Sequence, residues 1–190
     1  MPNREEIVGA LYGAYLLARR DPGGMGYFNC TTEGFWRSFT AALFVAPPFF
    51  AIVLMRTGDV QSGIDPTWFF FVELLRYTIG WVVFPVVMVL VVRFLGLSHV
   101  YVGFIVAYNW CQVPIVFVFL PIAALSALGI LPAGLTAFIN LGFFILVYVY
   151  LWFIAYTALE VEWYVALAVV GLELITTLFI EYSVGNLFGV

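Results

Sequence analysis

The sequence predicts an all-α fold, a polytopic membrane helix bundle of five transmembrane helices preceded by a short amphipathic N-terminal helix. Three observations carry this. The chain is 65% hydrophobic and only 9% charged, whereas a soluble domain is roughly half apolar and a quarter charged. Its mean hydropathy is +1.10, so the bilayer must solvate most of it. Runs such as "WVVFPVVMVLVV" and "LGFFILVYVYLWFIAY" are apolar at every position, unlike the alternating strands of a water-filled barrel.

Residues 1–37 are read as a cytoplasmic N-terminal segment built around "NREEIVGALYGAYLLARR". Asn3 can cap its first turn with Glu6 three residues on, and Arg19 and Arg20 suit the far end of the helix dipole. Ile7, Val8, Leu11, Tyr12 and Tyr15 share one face at helical spacing, and Pro22-Gly23-Gly24 ends the element. It is too short to cross, so it is expected at the membrane surface or packed on the bundle. Gly9-x-x-x-Gly13 could form a close-packing face, although outside a span that motif carries little weight.

Residues 38–190 are read as the transmembrane domain. A span needs about 20 apolar residues, which predicts crossings near 38–55, 68–92, 100–125, 135–158 and 163–184. Pro47-Pro48 should kink the first, and "RTGDVQSGIDPT" separates it from the second. From Val100 to Leu159 no residue is charged, and "SALGILPAG" is the one good turn. That stretch is therefore divided into two spans rather than three. Arg4, Arg19, Arg20, Arg37 and Arg93 fall on one side, with Arg56 and Arg76 on or toward the other. The positive-inside rule then places the N-terminus in the cytoplasm and the C-terminus outside; in a bacterium the membrane is the inner (plasma) membrane. Trp68, Trp163 and Tyr164 fit interfacial anchors.

Several function classes find no support. The basic residues are all arginine and the net charge is −4, which disfavours nucleic acid and a polybasic lipid patch. Cys30 and Cys111 are the only cysteines, and neither a disulfide nor a metal site is expected from them. Asn29-Cys30-Thr31 fits a glycosylation pattern but falls on the cytoplasmic side. No cleavable signal is evident, since Glu5 and Glu6 occupy the place of a basic leader region. His99 has no second ligand near it in sequence. No nucleophile elbow, metal-binding helix or phosphate loop appears, so an enzyme is not expected, nor a cofactor, nor any catalytic residue. The expected partners are membrane lipids and either a second copy or another membrane protein.

What remains is polar chemistry inside the membrane. A charge at a helix centre costs about 2.5 to 3.5 kcal/mol on insertion scales and usually faces the bundle interior. On the fifth span, Glu173, Thr176, Thr177 and Glu181 make one stripe at helical spacing. Arg76 on the second span can pair with Glu181 and, three residues back, with Glu73. Glu173 lies deeper with no basic residue at its depth, and is expected there as the neutral acid. The third span carries "AYNWCQVP", in which Pro114 deprives the Trp110 carbonyl of its donor. Tyr108, Asn109, Gln112, Glu173 and Thr177 are thus the candidate midplane cluster. Two readings stay open: hydrogen-bonded packing between helices, or a proton or small-solute site of a transporter or channel subunit. The stripe Phe144, Tyr148, Trp152 and Tyr156 on the fourth span reads as packing.

The layout over residues 38–188 resembles the Yip-domain family. The likeness rests on five clustered spans, on Tyr108 to Pro114 in "YNWCQVP" followed by Pro121, and on a fifth span with a central glutamate, as in bacterial members. Ala107 stands where the family typically has glycine, and the tyrosine-to-proline spacing is six rather than four. The aspartate-rich motif of eukaryotic members is not recognisable in "GDVQSGIDPT". The resemblance implies a membrane protein of undefined activity and supplies no catalytic residue; the surface-lying first helix, the kinking prolines and the absence of a reactive constellation point to a non-enzymatic protein acting through association with itself, with a partner or on bilayer shape.

Overall fold

A computed structural model describes residues 1–56 and 65–188, and every described element is helical. Five helical stretches are long and apolar enough to cross a membrane: 32–55, 66–94, 101–127, 133–158 and 163–188. Most of the polar loop after the first of them, where the missing aspartate-rich motif was sought, lies outside the described residues.

Helix α1 (Arg4–Ala18) starts as its sequence requires, the Asn3 side chain accepting the Glu6 N–H at 2.7 Å. The helix packs on the bundle, one of the two placements expected of it, with Ile7 and Leu11 against the core. Val8, Tyr12 and Tyr15 are exposed, while Ala10, Gly13, Ala14 and Leu17 are buried. Close approach decides this. A Cβ on Gly13 would sit 2.7 Å from the Gly24 carbonyl oxygen, in the 3-10 turn Pro22–Tyr27. Small residues admit that contact, and the tyrosines are left facing outward.

The first span is two helices, α2 (Thr32–Ser38) and α3 (Ala41–Arg56), and begins six residues before the predicted start. Arg37 discourages an earlier start in sequence, but it bonds Glu6 of α1 at 2.9 Å and also contacts Glu33. Its charge is matched, so α2 can join the span. The interruption falls at Phe39–Thr40, where Ser38 Oγ donates to the Phe35 carbonyl at 2.7 Å and Thr40 Oγ1 to that of Arg37. Helix α3 remains helical through Pro47 and Pro48.

Helix α4 (Pro66–Phe94) is capped by Asp65, whose carboxylate accepts the Trp68 N–H at 3.0 Å, with proline at the position where a missing N–H costs nothing. It ends at Gly96, whose φ of +72° supplies the left-handed turn that favours glycine. Helix α5 (Tyr101–Ala127) runs through Pro114 and Pro121, and Gly129, φ +66°, turns the chain into α6 (Ala133–Ala158). Helix α7 (Trp163–Phe188) follows a short hairpin.

Helix α5 is the hub, touching α1, α2, α3, α6 and, more lightly, α4; α7 packs on α4 and α6. Trp68 at the start of α4 donates its indole N–H to the Phe188 carbonyl at 3.2 Å, so α4 and α7 are antiparallel. The tightest core, around Leu17, Phe104, Ile105, Ile154 and Leu159, sits at the end carrying α1. The polar groups lie beyond it, between α3, α4, α5 and α7.

Candidate functional site

A cavity of about 290 Å³ opens between these four helices. At its inner end is Glu173, with a relative exposure of 9%. Tyr108 donates to Glu173 Oε1 at 3.1 Å and Thr177 Oγ1 to the same oxygen at 3.4 Å. Glu173 Oε2 is buried and has no hydrogen-bond partner. Gln112, one turn beyond Tyr108 on α5, lines the same space. Aromatic rings make the facing wall: Phe49 of α3 lies 4.8 Å from Tyr77 of α4, and Tyr77 lies 6.1 Å from Trp81. The Tyr77 hydroxyl donates to the Ala42 carbonyl, which fixes that ring.

Toward the end where α7 finishes, Arg76 Nη1 contacts Glu73 at 2.5 Å and Glu181 at 3.4 Å. By helical rise, Glu181 lies about 10 Å and Glu173 about 22 Å from the end of α7, so the cavity climbs from the carboxylate-bound arginine to a deep lone carboxyl. Glu73 is 9% exposed in its side chain and Glu181 is 55% exposed. The first contact is therefore a buried pair and the second a solvated one.

The structure brings together Tyr108, Gln112, Glu173 and Thr177, and separately Glu73, Arg76 and Glu181. Asn109 is a correction. One residue past Tyr108 means roughly 100° around the helix, and Asn109 points the other way, donating to Ser38 Oγ at 2.9 Å beside the α2–α3 break. It is fully buried there and does not join Glu173. Thr176 also leaves the stripe, since its hydroxyl bonds the Leu172 carbonyl of its own helix at 2.7 Å.

Sequence reasoning missed Tyr148. It sits in the stripe read as packing, 4.4 Å from Phe144, yet its hydroxyl faces the Glu173 carboxyl from α6. Its polar tip at midspan was the available signal. Tyr77, Trp81 and Phe49 were missed too, because rings on an apolar helix look alike until the helices are docked.

Cys30 and Cys111 are both free, and burial pushes the Cys30 thiol above its ordinary range. Among the described residues no cluster of His, Cys, Asp and Glu has the makings of a metal site. No family model matches the chain, and neither does any curated protein or solved structure.

Proposed function

We propose that this integral membrane protein works through the Glu173 cavity, as a small transporter or channel subunit with a proton-accepting site inside the membrane. The observation that carries it is the unpartnered Glu173 Oε2, nine-tenths buried at the inner end of a cavity large enough for a ligand. The magnitudes favour this over hydrogen-bonded packing. Interhelical hydrogen bonds in membranes contribute about 0.6 kcal/mol on average, whereas a buried polar atom left unpaired costs about 1–3 kcal/mol. With Tyr108 and Thr177 both on Oε1, a carboxyl kept only to fasten helices would gain about 1.2 kcal/mol against that cost of about 1–3 kcal/mol, whereas one facing water, a proton or a solute would not bear the cost.

The reading by assembly, with the Yip-like relationship, lends this proposal no site residue. In the orientation the arginines favour, the Arg76–Glu181 end of the cavity faces outside. The test is chemical access. Gln112→Cys, in protein carrying Cys30→Ser and Cys111→Ala, is expected to react with a membrane-impermeant thiol reagent in lipid vesicles. Leu178→Cys, on the exposed face of α7, is expected to stay unmodified. Equal silence at both positions would mean a dry cavity and would end the proposal.

A further inference from the structure

We propose that the cavity takes a monovalent organic cation, an ammonium group on a compact apolar or aromatic body, in exchange for a proton on Glu173. This rests on the Glu173 cavity being the working site, and three features of that cavity define the ligand.

Charge comes first. Among the described side chains that line the cavity, the carboxyls of Glu173 and Glu181 stand beside the guanidinium of Arg76, which Glu73 also contacts. Once Glu173 gives up its proton, its carboxylate has no cationic partner among the described contacts. Arg76 already contacts two carboxylates through Nη1, and its buried Nε has no partner. A ligand carboxylate or phosphate would thus meet Glu173 and a guanidinium already shared by two carboxylates. An ammonium meets the opposite field.

The walls come second. Phe49, Tyr77 and Trp81 form a connected aromatic surface across from Glu173, and Tyr108 adds a ring beside it. Ring faces attract cations, by about 2 kcal/mol or more when desolvated. The same rings accept an apolar body that would be excluded from a purely polar site. Tyr77 is anchored by its hydroxyl, so this surface is preorganised.

The proton comes third. Among the described residues, the groups facing Glu173 are Tyr108 from α5, Tyr148 from α6 and Thr177 from its own helix, with Tyr77, Trp81 and Arg76 from α4; the lining residues of α3, Val45 and Phe49, are apolar. None but Arg76 carries positive charge, and it contacts Glu73 and Glu181. In the exchange, the carboxyl O–H bond breaks, the proton leaves to water, and the carboxylate receives the ammonium. One cation enters for each proton released, so binding weakens as pH falls.

The experiment uses the full chain in nanodiscs of zwitterionic lipid, titrated with benzyltrimethylammonium and, for comparison, benzyl alcohol and benzenesulfonate. The expected result is binding of the cation alone, strengthening as pH rises and with proton release. Glu173→Gln is expected to weaken it at least roughly tenfold while keeping the helical spectrum and a monodisperse profile. Trp81→Leu is expected to weaken it roughly threefold or more without altering the proton release. Binding of the neutral or anionic compound as tightly as the cation would overturn the inference. So would full affinity in folded Glu173→Gln, or no cation binding at any pH. If Gln112→Cys is nonetheless labelled, the cavity remains a wet site for a different ligand; if it is not, both proposals fall together.

Discussion

Tyr108 donates its hydroxyl to Glu173 Oε1 at 3.1 Å, joining α5 to α7 across 65 residues of chain. The bond occupies one carboxyl oxygen and leaves the other, Oε2, without a partner. It also aims the carboxyl into the cavity instead of toward acyl chains.

Tyr108→Phe removes that donor and keeps the ring contact with Phe84, at 4.7 Å. The expected loss of stability is about 0.6 kcal/mol and no more than about 1.7 kcal/mol. Reversible unfolding in lipid or detergent measures it. A much larger loss would mean that the bond fastens the bundle more than it orients Glu173.

At the arginine the two acidic partners should separate by burial. Arg76→Met removes the buried contact to Glu73 together with the solvated one, an expected cost above about 1 kcal/mol. Glu181→Gln touches the solvated contact and is expected to cost less than about 1 kcal/mol. Thermal unfolding of the two variants checks the order, and equal losses would contradict it.

Gly9 and Gly13 of α1 should part company. A Cβ on Gly9 meets its nearest neighbour at 3.6 Å, an ordinary contact, whereas one on Gly13 meets backbone oxygen at 2.7 Å. Gly9→Ala is expected to be neutral or stabilising by up to about 1 kcal/mol through helix propensity. Gly13→Ala is expected to lose about 1–3 kcal/mol by overpacking. Hydrogen exchange over residues 4–18 reads whether α1 has loosened.

Fold class was legible because hydropathy acts residue by residue. A chain this apolar has one solvent available, and caps such as Asn3, Asp65 and Gly96 mark helix ends locally. Pairing of Arg76 with Glu73 and Glu181 was legible for a related reason, since few partners exist inside a membrane. What sequence could not supply was rotation of one helix against another. Asn109 and Tyr108 are adjacent in the chain yet face opposite sides of α5, and only docking against α2 and α7 decides which meets Glu173. How deeply each residue of α1 is buried was hidden for a similar cause, since beside Ile7 and Leu11 it is the small Ala10, Gly13 and Ala14 that let the backbone come close.

Asn109 and Ser38 provide a control outside the cavity lining. Asn109→Ala breaks the buried bond beside the α2–α3 interruption and is expected to cost about 1–3 kcal/mol. It should leave Gln112→Cys labelling unchanged. A cycle with Ser38→Ala isolates the pair, and altered labelling would show that the two sites communicate.

Orientation has its own test. The arginine distribution predicts a cytoplasmic N-terminus and an external C-terminus. Reporter fusions at the two ends should be active on opposite sides of the membrane; matching sides would require an even number of crossings.

The most direct measurement is infrared difference spectroscopy of the protonated carboxyl stretch in lipid, as bulk pH is stepped. Glu173 should gain and lose its proton reversibly, giving a band that disappears in Glu173→Gln and keeps its intensity in Glu181→Gln. If no band responds to pH, or if the responding band survives Glu173→Gln, the carboxyl has no exchange with water and the cavity is not a working site.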